Sequence, residues 1–456
     1  MTQPFVHPYV PNTAPATRAA MLAAIGITSV DELYADIPVD LRLDRPLDIP
    51  APIVAEQDLV RHVTRLLERN QSTNERLSFL GAGTYNHYVP AVVEEVIGRS
   101  EFLTAYAGEP YEDHGRFQAL FQYQSLMAEL LNQDVVTVPT YDGFQATATA
   151  LSMAGRITGR QQIIVASDVL PDKLSKVRDY VRTNHSLRFV SPVEGIADLE
   201  AVVGCLDESV AAVWVETPSY TGALETQLRE LADAAHRVGA LLVVGTDPVG
   251  YGVLTPPADH GADIVSGDIQ SLGLRQWFGG AHGGFIAVAD DPTLVMELPS
   301  RLFGLETTDV PGEYGFGDVA YERTSFAVRE NGKEWVGTAA ALWGIAAGVY
   351  LTLMGPRGMA DLGALLLART SYASARLASL PGIRLTDTAT HLREFVIEID
   401  GASVDDVVAT LRAEGIEPGV RVDDNQLLVC VTEMTSKADI DHLVERIGAV
   451  LQEKSE

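Results

Sequence analysis

Lysine is scarce in this chain of 456 residues: it occurs five times, at positions 173, 176, 333, 437 and 454, and nowhere between Val177 and Gly332. Basic residues as a whole are outnumbered, 33 Lys and Arg against 62 Asp and Glu, for a formal net charge of −29. That balance repels nucleic acid and anionic membrane surfaces, both of which attract positive patches, and it reads as a solubility adaptation. Cysteine is rarer still. Cys205 and Cys430 stand alone, with no CxxC pair and no ligand-like cluster, so neither a disulfide framework nor a zinc site is implied. The longest apolar stretch, "AAALWGIAAGVYLTLMG", is interrupted by glycines and reads as a core helix rather than a membrane span. The N-terminus has neither a basic start nor an apolar stretch of the secretory kind, and the expected location is the reduced cytoplasm.

What is present suits a globular enzyme. The chain is 46% hydrophobic and 7% aromatic, and it is long enough for two or three domains with cores of their own. Residues 1–75 combine proline-rich segments with short amphipathic patterns, "ATRAAMLAAIG" and "EQDLVRHVTRLLERN", and are expected to form a helical arm that wraps something else. From 76 to 335, helical patterns alternate with the β-rich runs "DVVTVPTYDG", "QQIIVASD", "LRFVSP", "AAVWVETPSY", "ALLVVGTDPVG", "ADIVSGD" and "GGFIAVAD". That order predicts an α/β domain with a mostly parallel sheet and helices on both faces. In such sheets ligands bind beyond the carboxyl ends of the strands, where the turns "TYDGFQ", "ETPSYTG" and "TDPVGYG" fall. Residues 336–456 read as a linking helix and a small α+β domain of three or four strands and two helices.

The run "LLVVGT" predicts a buried strand that delivers Asp247 to its carboxyl end, and "GADIVSGDIQSLG" follows some ten residues later. The pairing looks like the floor of a pyridoxal phosphate (PLP) site, where a strand-end aspartate meets the pyridine nitrogen and a lysine a little further on forms the Schiff base. The lysine inventory conflicts with a self-contained PLP enzyme. No Ser-His-Asp order, phosphate loop or metal cluster is visible.

Long sequential motifs then resemble one family along nearly the whole chain: "YVPNTAPATRAAMLAAIGITSVDELYADIP", "FLGAGTYNHYVPAVV", "EFLTAYAGEPYEDHGRFQALFQYQSLMAEL", "TYDGFQATATA", "DIVSGDIQSLG" with "FGGAHGGF", and "VTEMTSKADIDHLVERI". The sequence is similar to the α-type subunits of two-chain glycine decarboxylase, the P-protein of the glycine cleavage system. The resemblance implies the fold type I of PLP-dependent transferases. It also implies a β-type partner that holds the lysine and the PLP, an α2β2 assembly, glycine as substrate and a lipoyl carrier, the H-protein, as acceptor. Gapless counting from Ala262 puts the lost lysine's equivalent at Ser271, after Gln270, and Leu170 stands where the family has a histidine before the proline.

By the same resemblance, Tyr85, His87 and Tyr106 are expected catalytic side chains, and His114, where the chain departs from the family, is a fourth candidate on its own chemistry. Aromatic walls with hydroxyls suit a pocket that orients a small zwitterion, although buried aromatics with satisfied hydroxyls would look the same. His114 beside carboxylates could act as an acid or base, or sit in a solvated turn with Glu112 and Arg116. Gly337 and Thr338 are expected to reach the partner's cofactor phosphate, a helix-start anion site, though an N-cap needs the same threonine. Gly280 and His282 are placed on the cofactor side; the glycines around them also permit close backbone packing. Two segments depart from the family. "YEDHGRFQ" is one residue short with Asp113 and His114 changed, and "RENGKEW" brings Lys333, Glu334 and Trp335. If the latter loop faces the partner's PLP, Glu334 repels a substrate carboxylate unless Lys333 or Arg329 offsets it. The same architecture acting on another amino acid, and a non-catalytic scaffold, are the alternative readings.

Overall fold

Runs of Val, Ile and Ala bounded by turn residues dictate the centre of the molecule. The computed structural model describes residue 6 and residues 9–102, 114–319, 321–334 and 340–455. Seven such runs form one sheet: β1 (Val135–Val136), β2 (Gln162–Val165), β3 (Ser186–Phe189), β4 (Val210–Thr217), β5 (Leu241–Thr246), β6 (Ile264–Asp268) and β7 (Gly284–Val288). Their spatial order is β1-β7-β6-β5-β4-β2-β3. β2 to β6 are parallel, while β7 runs against β6 and β1 against β7. Val210 to Val215 of β4 are fully buried, as expected of a central strand covered by helices on both faces. Each run expected from the sequence contributes its strand, and the sheet is mostly parallel.

The helix Gly143–Thr158 packs against this sheet with an unbroken buried stretch from Ala146 to Gly155. Its start is fixed by Asp142, whose side chain accepts from the Gln145 amide at 2.8 Å, a regular N-cap. The long helix Ala341–Ala378 is kinked at Gly355, whose φ is 58°, ahead of Pro356. Proline removes a helical donor and crowds the preceding turn, which accounts for the break.

Beyond it lies a four-stranded antiparallel sheet, ordered Ile383–Leu385, Glu394–Ile399, Gln426–Cys430 and Val420–Asp423. The helices Val404–Ala413 and Lys437–Ser455 cover it around a separate apolar core that includes Phe395, Val407, Leu427 and Leu443. Two features were not foreseen: Leu77–Ser78 pairs with Ile416–Glu417, and Phe303–Thr307 forms a hairpin with Tyr314–Asp318.

Residues 1–70 and 71–456 are two compact units. The first contains the two expected helices, Pro15–Ile25 and Glu56–Leu67, and none of its described residues is buried. Leu59, Val63, Leu66 and Leu67 line up at helical spacing on the second helix, and all four are exposed. No described helix is long and apolar enough to cross a membrane.

Candidate active site

β5 ends at Thr246 and presents Asp247 at its carboxyl end, as the sequence predicted. Both carboxylate oxygens are engaged. Oδ1 accepts from Ser271 Oγ at 2.7 Å and from the Val249 amide at 2.9 Å, and Oδ2 pairs with the Arg393 guanidinium. Arg393 sits just before the small-domain strand Glu394–Ile399 and is 2% exposed. It lies 3.2 Å from the centroid of the Tyr85 ring and meets His87 Nε2 at 3.0 Å. Burial works against its charge, but the Asp247 carboxylate more than offsets this and raises its pKa.

Around this pair lies a largely buried polar network. His87 Nδ1 meets Glu433 Oε2 at 2.7 Å; that hydrogen bond overcomes the effect of burial and holds the Glu433 carboxyl below the usual range. Glu394 accepts from the Ala82 amide at 2.7 Å and from Tyr85 Oη at 2.9 Å. Burial pushes the Glu394 carboxyl up, and burial together with Glu394 pushes the Tyr85 hydroxyl up. Only glycine fits at 222, where a Cβ would lie 1.9 Å from the Glu394 carbonyl oxygen.

A cavity of about 340 Å³ opens above this floor. On one side is the start of the helix Gly143–Thr158. Its Gly143 amide donates to Asp268 Oδ2 at 2.8 Å, and the same oxygen meets His282 Nδ1 at 3.1 Å. A Cβ on residue 143 would stand 2.9 Å from Asp268 Cβ, so glycine permits this approach. Burial disfavours a charged His282, yet the Asp268 hydrogen bond prevails and raises its pKa. Two of the five lysines also line the cavity, both from the helix Pro171–Val181, and Lys176 Nζ lies 5.8 Å from the Phe144 ring near the start of the helix Gly143–Thr158. Lys173 Nζ reaches both Glu216 oxygens at 2.8 and 2.9 Å, and Lys176 Nζ lies 2.7 Å from Asp172. Leu170 also lines the cavity.

The three turns expected to border a ligand, at 140–143, 216–222 and 247–252, do converge here, as do Tyr85 and His282. His87 is instead buried behind Arg393. Gly280 does not line the cavity, whereas Gly279 does, and the close backbone approach in this glycine run occurs at Gly284, where a Cβ would meet the Asp142 carbonyl oxygen at 2.1 Å. Tyr106, Gly337, Thr338, Trp335, Glu112 and Asp113 lie outside the described residues. His114 opens the helix His114–Leu131, and Arg116, expected in a loop, is a buried residue within that helix beside Phe117. Among the described side chains, the charge of Glu334 is not met by Lys333. It lies 3.7 Å from Arg156, and Lys333 faces Glu297 at 3.9 Å. Burial raises the Glu334 carboxyl against the pull of Arg156.

Arg393, Glu394, Asp268 and Glu433 escaped the sequence reading. Arg393-Glu394 did carry a signal: a charged pair opening a mostly apolar strand, since arginine is rarely buried unless paired. Among the described residues no group of His, Cys, Asp and Glu could hold a metal ion.

Comparison with known proteins agrees with this architecture. A sphingosine-1-phosphate lyase from Burkholderia pseudomallei, at 14% identity and a TM-score of 0.64 over 92% of this chain and 94% of its own, shares the fold alone. A glycine decarboxylase (P-protein) of the glycine cleavage system, solved in inhibitor-bound form, superposes with a TM-score of 0.85 and 32% identity over 98% of this chain and 100% of its own. A probable glycine dehydrogenase (decarboxylating) subunit 1 from Chlorobium phaeobacteroides is 37% identical over 97% of this chain and 100% of its own. Its counterpart from Geobacillus thermodenitrificans is 34% identical over 97% and 99%. The fold is that of the fold type I PLP enzymes. With the model for "Glycine cleavage system P-protein" matching residues 7–447, this chain belongs to the glycine cleavage system P-protein family, among the chains resembling subunit 1.

Proposed function

We propose that this chain is the subunit of a two-chain glycine decarboxylase that does not hold PLP, and that it completes the active site of a β-type, lysine-bearing partner. The observation that carries the reading is the state of its own cofactor-type pocket. A PLP site needs a free aspartate oxygen for the ring nitrogen, an open helix start for the phosphate and a lysine near the strand end. Here Asp247 is engaged by Ser271 and Arg393, the Gly143 amide is engaged by Asp268, and Ser271 stands at the lysine's counted position. The residues present do not fit the cofactor, and no step is assigned to it in this pocket. In the partner, PLP would supply the electron sink for loss of CO2 from glycine.

This chain's contribution is binding and exclusion of water across the subunit interface. Gly337 and Thr338 would donate to the cofactor phosphate held by the partner, and Tyr106 and His114 would border the glycine channel. Tyr85 and His87 take a positioning role, since both brace Arg393. The pairing of Glu334 with Arg156 removes a repulsion that a substrate carboxylate would meet, and glycine is the substrate proposed by family membership. A lipoyl carrier as acceptor, an α2β2 assembly and a cytoplasmic setting belong to the same proposal.

Co-expression with a β-type chain, purification through a tag on this one, and absorbance spectroscopy test it. The expected result is a co-purified partner whose cofactor band shifts on adding glycine, and a Thr338→Ala variant that retains PLP about tenfold more weakly, the factor of one lost phosphate contact. A band indifferent to glycine overturns the substrate. No partner and no band overturn the catalytic reading in favour of the scaffold.

A further inference from the structure

The absent lysine accounts for half of what is seen in the pocket. If lysine loss were the whole change, Asp247 and the start of the helix Gly143–Thr158 would remain open, at a cost, since a strand-end carboxylate and unpaired helical amides are unfavourable without partners. Neither is open. The Asp247 carboxylate faces a cation, as it would face a pyridinium, but the cation is Arg393 from the small domain. The Gly143 amide and the His282 ring face an anion, as they would face a phosphate, but the anion is the Asp268 carboxylate.

We propose that Arg393 and Asp268 are built-in substitutes for PLP: the guanidinium takes the ring nitrogen's place on Asp247, and the carboxylate takes the phosphate's place at the helix start. The pocket is therefore closed to PLP by its own side chains, and restoring the lysine alone does not reopen it. The substitution also has a structural yield. Arg393 and Glu394 belong to the small domain, whereas Asp247 ends β5 and Tyr85 is held by Gln270, so the Arg393–Asp247 and Glu394–Tyr85 contacts latch the small domain onto the large one without any bound molecule. The inference deepens the reading that this chain does not hold PLP, and it rests on that reading.

The test uses the full chain, PLP and borohydride, which fixes the cofactor to a lysine; peptide mass locates the fixation. Ser271→Lys alone is expected to show no fixation at position 271 above that of surface lysines. Asp268→Ala with Arg393→Ala and Ser271→Lys is expected to raise it on the order of tenfold or more, the scale of one partly buried charge contact. Equal fixation in the single and triple variants overturns the closure, and so does its absence from both. Should the triple variant fail to fold, Asp268→Ala with Ser271→Lys keeps the Arg393 latch. It should still exceed the single variant, and equality there overturns the phosphate half of the proposal. Stoichiometric fixation in the unsubstituted chain, at Lys173 for example, would instead overturn the reading that this subunit holds no PLP.

Discussion

On the floor of the cavity, the side chains of Arg393 and Asp247 meet at 2% and 14% exposure; on its rim, those of Lys176 and Asp172 meet at 48% and 70%. The contacts have the same chemistry and opposite consequences. A rim pair gains little Coulomb energy in water and loses rotamer freedom. A floor pair has been desolvated, so each partner is indispensable to the other, even though the pair as a whole adds little beyond what an apolar replacement would. The floor thus fixes one geometry, and the rim tolerates many.

Arg393→Ala should test the contrast most severely. It leaves Asp247 partly buried and deprives His87 of a partner, and chemical denaturation should show a loss of about 3–5 kcal/mol. A cost no greater than that of Lys176→Ala would erase the distinction between floor and rim. Lys173→Ala belongs between the extremes, since Lys173 and Glu216 are 16% and 12% exposed and Glu216 keeps the Trp214 indole as a donor. A loss of about 1–2 kcal/mol is expected in the same measurement.

The His282 contact should appear as a pH dependence. Its folded pKa lies above the ordinary 6.5 because Asp268 outweighs burial, so its stabilisation is complete below pH 6.5 and is lost as pH rises through the higher folded value. His282→Asn should remove that decline from a series of denaturation curves, and an unchanged decline would detach His282 from Asp268. Lys176→Ala should have the smallest effect, within about 0.5 kcal/mol of the natural chain, as for exposed helical pairs.

The sheet was legible because most of its strands are short β-branched runs closed by a turn signal, and Asp247 was legible because it ends such a run. The hairpin at 303–318 was not, since its strands carry glycines and half-exposed side chains in place of a clear alternation. Ser271 could be found by counting, because the strand and its loop are contiguous. The closing of the pocket could not. Arg393 lies 146 positions from Asp247, and Gly143 lies 125 from Asp268, and no local pattern reports a contact between residues so far apart in the chain. His87 illustrates the same limit. Its neighbours suggested a channel wall, but Glu433, 346 positions away, pins its ring in the interior.

The first seventy residues, none of whose described side chains is buried, have a calorimetric meaning. The heat capacity of unfolding follows the apolar surface newly exposed to water, and Leu59, Val63, Leu66 and Leu67 already expose theirs in the native chain. By that measure this segment adds less curvature to the stability profile, residue for residue, than residues 71–455, whose core side chains must be exposed from full burial.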